Sequence, residues 1–260
     1  MDAGSTALLL IAGIASGLAG SIAGLASLFS YPALLAVGLS PIAANVTNTV
    51  AMFSNTVGSA AGSREELRGQ RRRLVKLIAL ASVGGALGAV LLLSTPPEAF
   101  ELVVPWLIAL GSVLLLARDR LRRLAGNHTE RGQAAQAPAL RSAPALAAAI
   151  VLVGVYCGYF GAASGVLMLA VLSIALAEPL PVTNAVKNMA TGAANVIAAI
   201  GYALLAPVHW GAAGVLAIGC LVGSWIGPTF VRLLPEKPLR IAIALGGLGL
   251  ATHLWFVAVA

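Results

Sequence analysis

Long apolar stretches, separated by short polar segments, follow one another along almost the whole chain. A helix that crosses the hydrocarbon core of a bilayer needs about 20 mainly apolar residues, and eight tracts have about this length or more. These tracts are residues 6–39, 42–62, 74–93, 100–117, 145–177, 182–206, 208–231 and 238–260. The pattern predicts an all-α polytopic membrane protein.

Composition supports a membrane protein and excludes several other classes. Of the 260 residues, 59% are hydrophobic and 10% are charged, against about 25% charged residues in soluble domains. This excludes a cytosolic enzyme, a disordered chain and a disulfide scaffold. The net charge of +7 comes from basic residues in loops between tracts, which indicate topology rather than nucleic-acid binding. We expect the lipid bilayer as a partner and no nucleic acid.

The chemistry of the few polar residues also excludes some functions. No Asp or Glu lies deep within a tract, which argues against an intramembrane aspartyl protease and a carboxylate proton relay. No GxxxxGK phosphate loop occurs. Cys157 and Cys220 lie inside apolar tracts without CxxC spacing, so they imply neither a metal site nor a disulfide. We predict a protein that is not an enzyme and has no cofactor.

The first and fifth tracts are too long for single helices. A continuous helix over 6–39 would be roughly 50 Å long, whereas the hydrocarbon core is roughly 30 Å thick. Both tracts are rich in glycine, which indicates close helix packing, as in the spacing of Gly13 and Gly17, or a broken or re-entrant helix facing an internal cavity. Length favours broken or re-entrant helices, with breaks at Gly24–Pro32 and Gly161–Gly165. The two interpretations can both hold.

The two halves of the chain match each other at a shift near 140 residues, which indicates an internal repeat. The matched pairs are Gly17/Gly158, Gly20/Gly161, Gly24/Gly165, Pro41/Pro181, Val46/Val186, Asn48/Asn188, Asn55/Asn195, Gly84/Gly223, Gly88/Gly227 and Pro96/Pro235. We therefore predict two membrane repeats of about four helical segments each, residues 1–117 and 143–260. The basic segment 118–142 is the linker.

Basic residues predict the orientation of these repeats. Positive loops stay in the cytoplasm, which places loops 64–76, 118–142 and 232–240 inside. The turns 94–101 and 204–211 contain no Lys or Arg and fit the outside. The second repeat would then be inverted relative to the first. The alternative, a parallel arrangement, would leave Arg232, Lys237 and Arg240 on the outer face.

Asparagines within the tracts are candidate binding residues. Asn48 and Asn55 are seven residues apart, as are Asn188 and Asn195, so each pair shares one helix face. Such amides bond to neighbouring helices or line a hydrophilic cavity, and the sequence leaves both roles open. Two more amides stand beside them, Asn45 and Asn184.

Lys187 is the only basic residue in the inner portion of any of the tracts. Such a lysine either snorkels toward an interface or faces a cavity, and a cation without buried acidic partners indicates an anionic ligand. Half-helix N-termini at the two breaks would offer free N–H groups and positive dipole ends to the same ligand. The residues there are Gly24, Ser27, Ser30, Ser164 and Gly165.

The chain resembles the TauE/SafE (sulfite exporter) family of membrane transporters. The resemblance rests on Gly17-Leu-Ala-Gly20-Ser-Ile-Ala-Gly24, followed by Pro32-Ala-Leu34 and Pro41…Ala43-Ala44-Asn45, and on Gly158-Tyr-Phe-Gly161-Ala-Ala-Ser-Gly165. The family's contiguous glycines are replaced here by Ser21-Ile22-Ala23 and Ala162-Ala163-Ser164, and the paired cysteines of thiosulfate-taking relatives are missing. The resemblance implies transport of a small anion, such as sulfite, a sulfonate or sulfoacetate.

Together these observations predict a secondary transporter or facilitator in the bacterial inner membrane, working by alternating access between its two repeats. The substrate would meet Lys187, the asparagines and the helix breaks. An anion channel and a non-transporting membrane scaffold are the alternatives. The identity of the anion, the direction of transport, the coupling ion and the oligomeric state stay open.

Overall fold

The described part of the chain is helical throughout, without a β-strand. The computed structural model describes residues 2–130, 143–176, 178–230, 245, 248–252 and 254–256. Its helices are α1 (Ala3–Ala23), α2 (Ser27–Ala36), α3 (Pro41–Ala51), α4 (Phe53–Gly62), α5 (Arg71–Leu93), α6 (Pro97–Glu130), α7 (Ala143–Tyr159), α8 (Ser164–Ala175), α9 (Leu180–Leu205) and α10 (Trp210–Phe230).

Within the described residues, four stretches are long and apolar enough to cross a membrane. They are Ala3–Ser21, Arg71–Leu93, Pro97–Leu114 and Pro181–Leu205. Shorter apolar helices, such as α2 and α8, lie between them in the chain. The protein is an all-α, multi-pass membrane protein, as the apolar tracts predict.

Both overlong tracts are broken. The helix α1 ends at Ala23, Gly24 follows with φ 71°, and α2 begins at Ser27. The predicted break over Gly24–Pro32 is too long, because Pro32 lies inside α2. The left-handed φ of Gly24 ends the first helix, whereas a proline within a helix removes one hydrogen bond without having to end it.

The second break agrees with the predicted Gly161–Gly165 segment. The helix α7 ends at Tyr159 and α8 begins at Ser164. Between them Gly161 has φ 75° and Ala163 has φ 58°. Because an alanine in the left-handed region costs about 1–2 kcal/mol, the surrounding packing holds this break in place.

Other tracts differ in detail from the predicted elements. The tract 42–62 forms two helices, α3 and α4, that meet at Met52. The helix α6 continues to Glu130, so the first part of the linker 118–142 is helical. The rest of that linker and the predicted loop 232–240 lie outside the described residues.

The helices α1 and α10 pack closely and run in the same direction. A Cβ on Gly13 would lie 2.6 Å from the carbonyl oxygen of Leu216, and a Cβ on Gly17 would lie 2.6 Å from the backbone nitrogen of Ser224. Only glycine allows backbones to approach this closely. Both interpretations of the glycine-rich tracts therefore hold, since the same tracts pack and break.

The helices α5 and α7 form a second pair of this kind. A Cβ on Gly84 would lie 2.8 Å from the Cα of Gly154, and a Cβ on Gly88 would lie 2.8 Å from the backbone nitrogen of Tyr159. These two helices also run in the same direction. In each pair, the first helix of one half packs against a later helix of the other half: α1 packs against α10, and α7 packs against α5.

The helix α9 runs parallel to α5. Arg73, near the start of α5, bonds to Glu178 just before α9. Further along both helices, a Cβ on Gly85 would lie 2.7 Å from the Cα of Ala194. The helices α5, α7 and α9 therefore share one direction.

The helices α3 and α4 run parallel to α10. Thr47 Oγ1 accepts a hydrogen bond of 3.1 Å from the N–H of His209, just before α10. Gly58, further along the chain, packs against Ser224 in the last third of α10.

These helices also run opposite to α9. Thr56 of α4 lies against Gly192, halfway along α9. Thr47, earlier in the chain, lies against a residue beyond the C-terminal end of α9. Consequently α1 and α7, the first helices of the two halves, run in opposite directions.

The packing relates the two halves with a register that differs from the sequence match. Gly84 has the same surroundings on α7 that Gly219 has on α1, whereas the sequence paired it with Gly223. The connection between α9 and α10 has four residues and that between α4 and α5 has eight. This difference of about one helical turn accounts for the shifted register.

An ion pair joins the two halves at one end of the bundle. Arg73 Nη1 lies 2.8 Å from Glu178 Oε1 and also donates to Gln70 Oε1 over 3.1 Å. The hydrogen bond from the Arg73 guanidinium, followed by that from Gln70, lowers the pKa of the Glu178 carboxyl. The side chains are 41% and 26% exposed, so the pair contributes no more than about 1 kcal/mol to stability.

We predict that Glu178→Gln lowers the free energy of unfolding by about 0.5 kcal/mol at neutral pH. Because the folded state lowers this pKa, the contribution is present above the ordinary carboxyl value and is lost as the pH falls through the folded pKa. Thermal unfolding of both proteins in detergent across a pH series measures the difference. Glu98→Gln, which changes an exposed carboxylate at the start of α6, is the matched control. A Glu178→Gln effect that persisted at strongly acidic pH would contradict the assignment.

Candidate functional site

A small polar cavity lies where the two broken helices meet. Its volume is about 40 Å³, which is room for about three water-sized groups. Among the described residues, its lining comprises Gly20, Gly24, Ala26, Ser27, Met52, Asn55, Thr56, Ser59, Gly161, Ser164, Gly165, Asn188, Thr191, Gly192 and Asn195. Every one of these side chains is uncharged. Both halves of the chain contribute to the cavity.

Two helix N-termini face this cavity. The helix α2 begins at Ser27 and α8 begins at Ser164, and both residues line the cavity. Most N–H groups of their first turns bond to a carbonyl oxygen of the break itself, as that of Leu28 does to Leu25 and that of Val166 to Ala163. Each N-terminus carries about half a positive charge from the helix dipole, so the two together offer about one unit of positive charge without a charged side chain.

The two breaks touch at the glycines Gly24 and Gly165. A Cβ on either residue would lie 2.5 Å from the Cα of the other. Any side chain would separate the breaks and displace the helix starts that follow them. Close contact between these glycines therefore keeps both N-termini at one cavity.

The remaining wall comes from one face of α4 and one face of α9. Met52, at the start of α4, and residues 55, 56 and 59 within it line the cavity. The helix α9 contributes residues 188, 191, 192 and 195. This spacing of three and four residues selects one face of a helix. Three lining residues with polar side chains were not predicted from the sequence: Thr56, Ser59 and Thr191. Ser59 and Thr191 lie three or four residues from a predicted asparagine, and Thr56 lies next to one.

Two polar atoms in the cavity wall are buried without a hydrogen-bond partner. They are Asn55 Oδ1 and Ser59 Oγ. Ser59 is 5% exposed. A buried hydroxyl or amide oxygen without a partner costs about 1–3 kcal/mol. The Ser59 hydroxyl can donate a hydrogen bond to a ligand, whereas Asn55 Oδ1 can only accept one.

Other polar groups of the wall already have partners. Ser164 Oγ lies 3.5 Å from Cys157 Sγ, and Thr191 Oγ1 donates to the carbonyl oxygen of Lys187 over 2.9 Å. Asn188 Nδ2 donates to the carbonyl oxygen of Ser21 over 3.2 Å. These bonds fix the orientation of the wall.

Of the predicted site residues, seven line the cavity. They are Gly24, Ser27, Asn55, Ser164, Gly165, Asn188 and Asn195. The packing also supports pairing the two amides, because Gly20 lies beside Asn55 as Gly161 lies beside Asn195.

The other predicted amides lie outside the lining. Asn48 Nδ2 donates to Ser27 Oγ over 3.2 Å, and its Oδ1 accepts from Ser30 Oγ over 2.5 Å. Asn48 thus holds the first turn of α2 through side-chain hydrogen bonds without lining the cavity. Asn45 and Asn184 bond to backbone carbonyl groups at the ends of α7 and α1.

Lys187 is fully buried and does not snorkel to a surface. Its side chain does not belong to the cavity lining. The backbone of Lys187 is close to the cavity, because its carbonyl oxygen accepts a hydrogen bond from the lining residue Thr191, one turn further along α9.

In the described residues, no group of three or more His, Cys, Asp or Glu side chains has the arrangement of a metal site. The chemistry available in the cavity is hydrogen bonding from hydroxyls, amides and backbone N–H groups. Such groups bind and release a ligand without a covalent step.

A polar cavity at the meeting point of two broken membrane helices is the arrangement of a membrane transporter. The family model described as "Sulfite exporter TauE/SafE" matches residues 9–254. The chain therefore belongs to the TauE/SafE sulfite exporter family of membrane transporters.

Curated relatives agree with this class. The chain is 26% identical over 242 residues to the "Probable membrane transporter protein YfcA" of Escherichia coli strain K12, covering 88% of this chain and 82% of the relative. The proteins of the same name from Escherichia coli O6:H1 and O157:H7 match equally. No solved structure was found to match the chain.

We predict that Gly24→Ala weakens both folding and the cavity. The new methyl group would meet Gly165, and an alanine at φ 71° costs about 1–2 kcal/mol by itself. Gly38→Ala is the matched control, since Gly38 has φ 92° but open space around it. Thermal unfolding in detergent should show a larger loss for Gly24→Ala, by roughly another 1–3 kcal/mol for the overlap. Equal losses would show that the contact between the breaks does not matter.

Proposed function

We propose that the protein is a secondary transporter or facilitator that moves a small anion across the bacterial inner membrane. The observation that carries this proposal is the pair of half-helix N-termini, at Ser27 and Ser164, that face one uncharged polar cavity. Positive dipole ends favour an anion over a cation or a neutral solute.

The substrate class follows from the size of the cavity and from the family. Room for about three water-sized groups suits an oxyanion with three oxygen atoms, such as sulfite. The family model carries the name of a sulfite exporter. A sulfonate or sulfoacetate would need a wider cavity in the loaded state.

The groups that would contact the anion are the seven predicted residues in the lining together with Ser59. Asn55 and Asn195 approach from opposite halves, and Ser59 has a free hydroxyl. Lys187 would contribute attraction through space rather than contact. Asn48 and Ser30 would hold the first turn of α2 in position.

Alternating access by two inverted repeats would move this anion. The opposite directions of α1 and α7, and the exchange of helices between the halves, support an inverted duplication. In such transporters one half rocks against the other around a central site. With loops 64–76, 118–142 and 232–240 in the cytoplasm, the Arg73–Glu178 pair would lie at the cytoplasmic end.

Uptake into proteoliposomes tests the proposal. Sulfite, sulfoacetate, taurine and thiosulfate would be compared, each with and without a pH gradient. We expect saturable sulfite transport at carrier-like turnover. Flux far above a carrier's turnover would indicate a channel, and binding of none of the four anions would indicate a scaffold.

We predict that Asn55→Ala and Asn195→Ala each reduce anion affinity about tenfold, because each removes a hydrogen bond worth about 1.5 kcal/mol or more to a charged ligand. Ser54→Ala is the control, since Ser54 lies next to Asn55 and bonds only to the carbonyl oxygen of Ala51. Calorimetric titration with sulfite measures the affinities. Unchanged Kd values for both asparagine variants would remove these amides from the site.

We further predict that Lys187→Met weakens anion binding roughly tenfold while the protein stays folded, because methionine keeps the packing volume and removes a positive charge near the cavity. Lys76→Met removes an exposed lysine from the start of α5 and controls for net charge. The same titration applies. If both variants bind as the wild type does, Lys187 has no electrostatic role.

A further inference from the structure

Each broken helix ends in backbone carbonyl groups that the break leaves without their usual partners. In α1, the N–H of Leu25 bonds to the carbonyl oxygen of Ala19, so it does not reach the carbonyl group of Ser21 four residues before it. In α7, the N–H groups of Phe160 and Gly161 both bond to Tyr156. In hydrocarbon, such an unpaired group costs several kcal/mol.

In each break, an amide from the opposite half bonds to one carbonyl group that the break leaves without a helical partner. Asn45 of the first half donates from Nδ2 to the carbonyl oxygen of Tyr159, the last residue of α7, over 2.8 Å. Asn188 of the second half donates from Nδ2 to the carbonyl oxygen of Ser21, in the last turn of α1, over 3.2 Å. Asn184 adds a longer contact of 3.4 Å to the same oxygen. The support is therefore crossed between the halves.

The Asn45 side chain has one hydrogen-bonding role in the structure. It is fully buried, and its Oδ1 has no hydrogen-bond partner. The unpaired oxygen costs about 1–3 kcal/mol, whereas its Nδ2 removes the cost of an unpaired carbonyl group at the end of α7. The one side-chain hydrogen bond that the structure shows for Asn45 is the bond to the end of α7.

We propose that Asn45 and Asn188 each hold the broken helix of the opposite half, Asn45 as a positioning residue only and Asn188 in addition to its place in the cavity lining. Asn45 fixes the end of α7 and hence the segment 160–163, after which α8 begins at the cavity. Asn188 fixes the end of α1 and the turn before α2. Movement of one half is thereby transmitted to the helix start of the other. This inference rests on the proposed function only where it concerns the anion.

Hydrogen–deuterium exchange of the purified protein without any anion tests the crossed contacts. Asn45→Leu keeps the volume and removes the donor. We expect at least about tenfold faster exchange in the second break, residues 160–165, with the first break unchanged. Asn188→Leu should do the reverse and accelerate exchange in residues 22–27. Thr49→Val is the control, since Thr49 bonds only to the carbonyl oxygen of Asn45 within its own helix.

Asn45→Gln keeps an amide donor. Comparing it with Asn45→Leu shows whether the faster exchange comes from loss of the donor or from misfolding of the leucine variant. The glutamine variant should restore slow exchange in residues 160–165, at least in part. Faster exchange confined to the substituted half, or no change in either break, would overturn the proposal.

A binding measurement separates this proposal from the proposed function. Asn45 does not line the cavity, so Asn45→Leu should raise the Kd for sulfite about tenfold only by displacing α8. An unchanged Kd in a folded variant would overturn the positioning role. If the wild type binds no sulfite, the proposed function fails and the exchange pattern alone decides this inference.

Discussion

The constraint on which this structure depends is the hydrogen bonding of a helix that stops inside a membrane. Hydrocarbon offers no partners, so every backbone group at a break must be satisfied by protein or by a bound ligand. Here the C-terminal sides of both breaks are satisfied by side chains, including Asn45 and Asn188. The N-terminal sides face a common cavity instead. The positive ends of two helix dipoles are thus concentrated at one place, where we propose that an anion binds.

Glycine makes this arrangement possible at two levels. At Gly24 it provides the left-handed turn and the close contact with Gly165 that brings the breaks together. Along α1 and α7 it lets α10 and α5 approach so closely that little space remains for lipid or water. Closely packed pairs of helices in each part of the bundle suit the proposed rocking of one half against the other.

The sequence alone predicted where the two overlong tracts break, but it did not predict the register in which the two halves correspond. Tract length alone predicted that 6–39 and 145–177 must be interrupted, because the bilayer thickness is fixed. The match of Gly84 with Gly223 was wrong by one turn, since connection lengths decide how far a helix slides and apolar helices tolerate such slides. The sequence also did not show that Lys187 lies outside the cavity lining, because this depends on which face of α9 meets the cavity. At 100° per residue Lys187 lies about 40° beyond the arc of α9 that faces the cavity.

An uncharged lining suits a protein that must also release its ligand. A charged side chain in the cavity would hold the anion tightly and would be costly to leave unpaired when the cavity is empty. Helix dipoles and neutral donors such as Ser59 bind less strongly, and water can replace the ligand at little cost. Lys187, buried on α9, would add attraction over a longer range without forming a contact that has to be broken at each turnover. Favourable entry and easy departure are then compatible in one site.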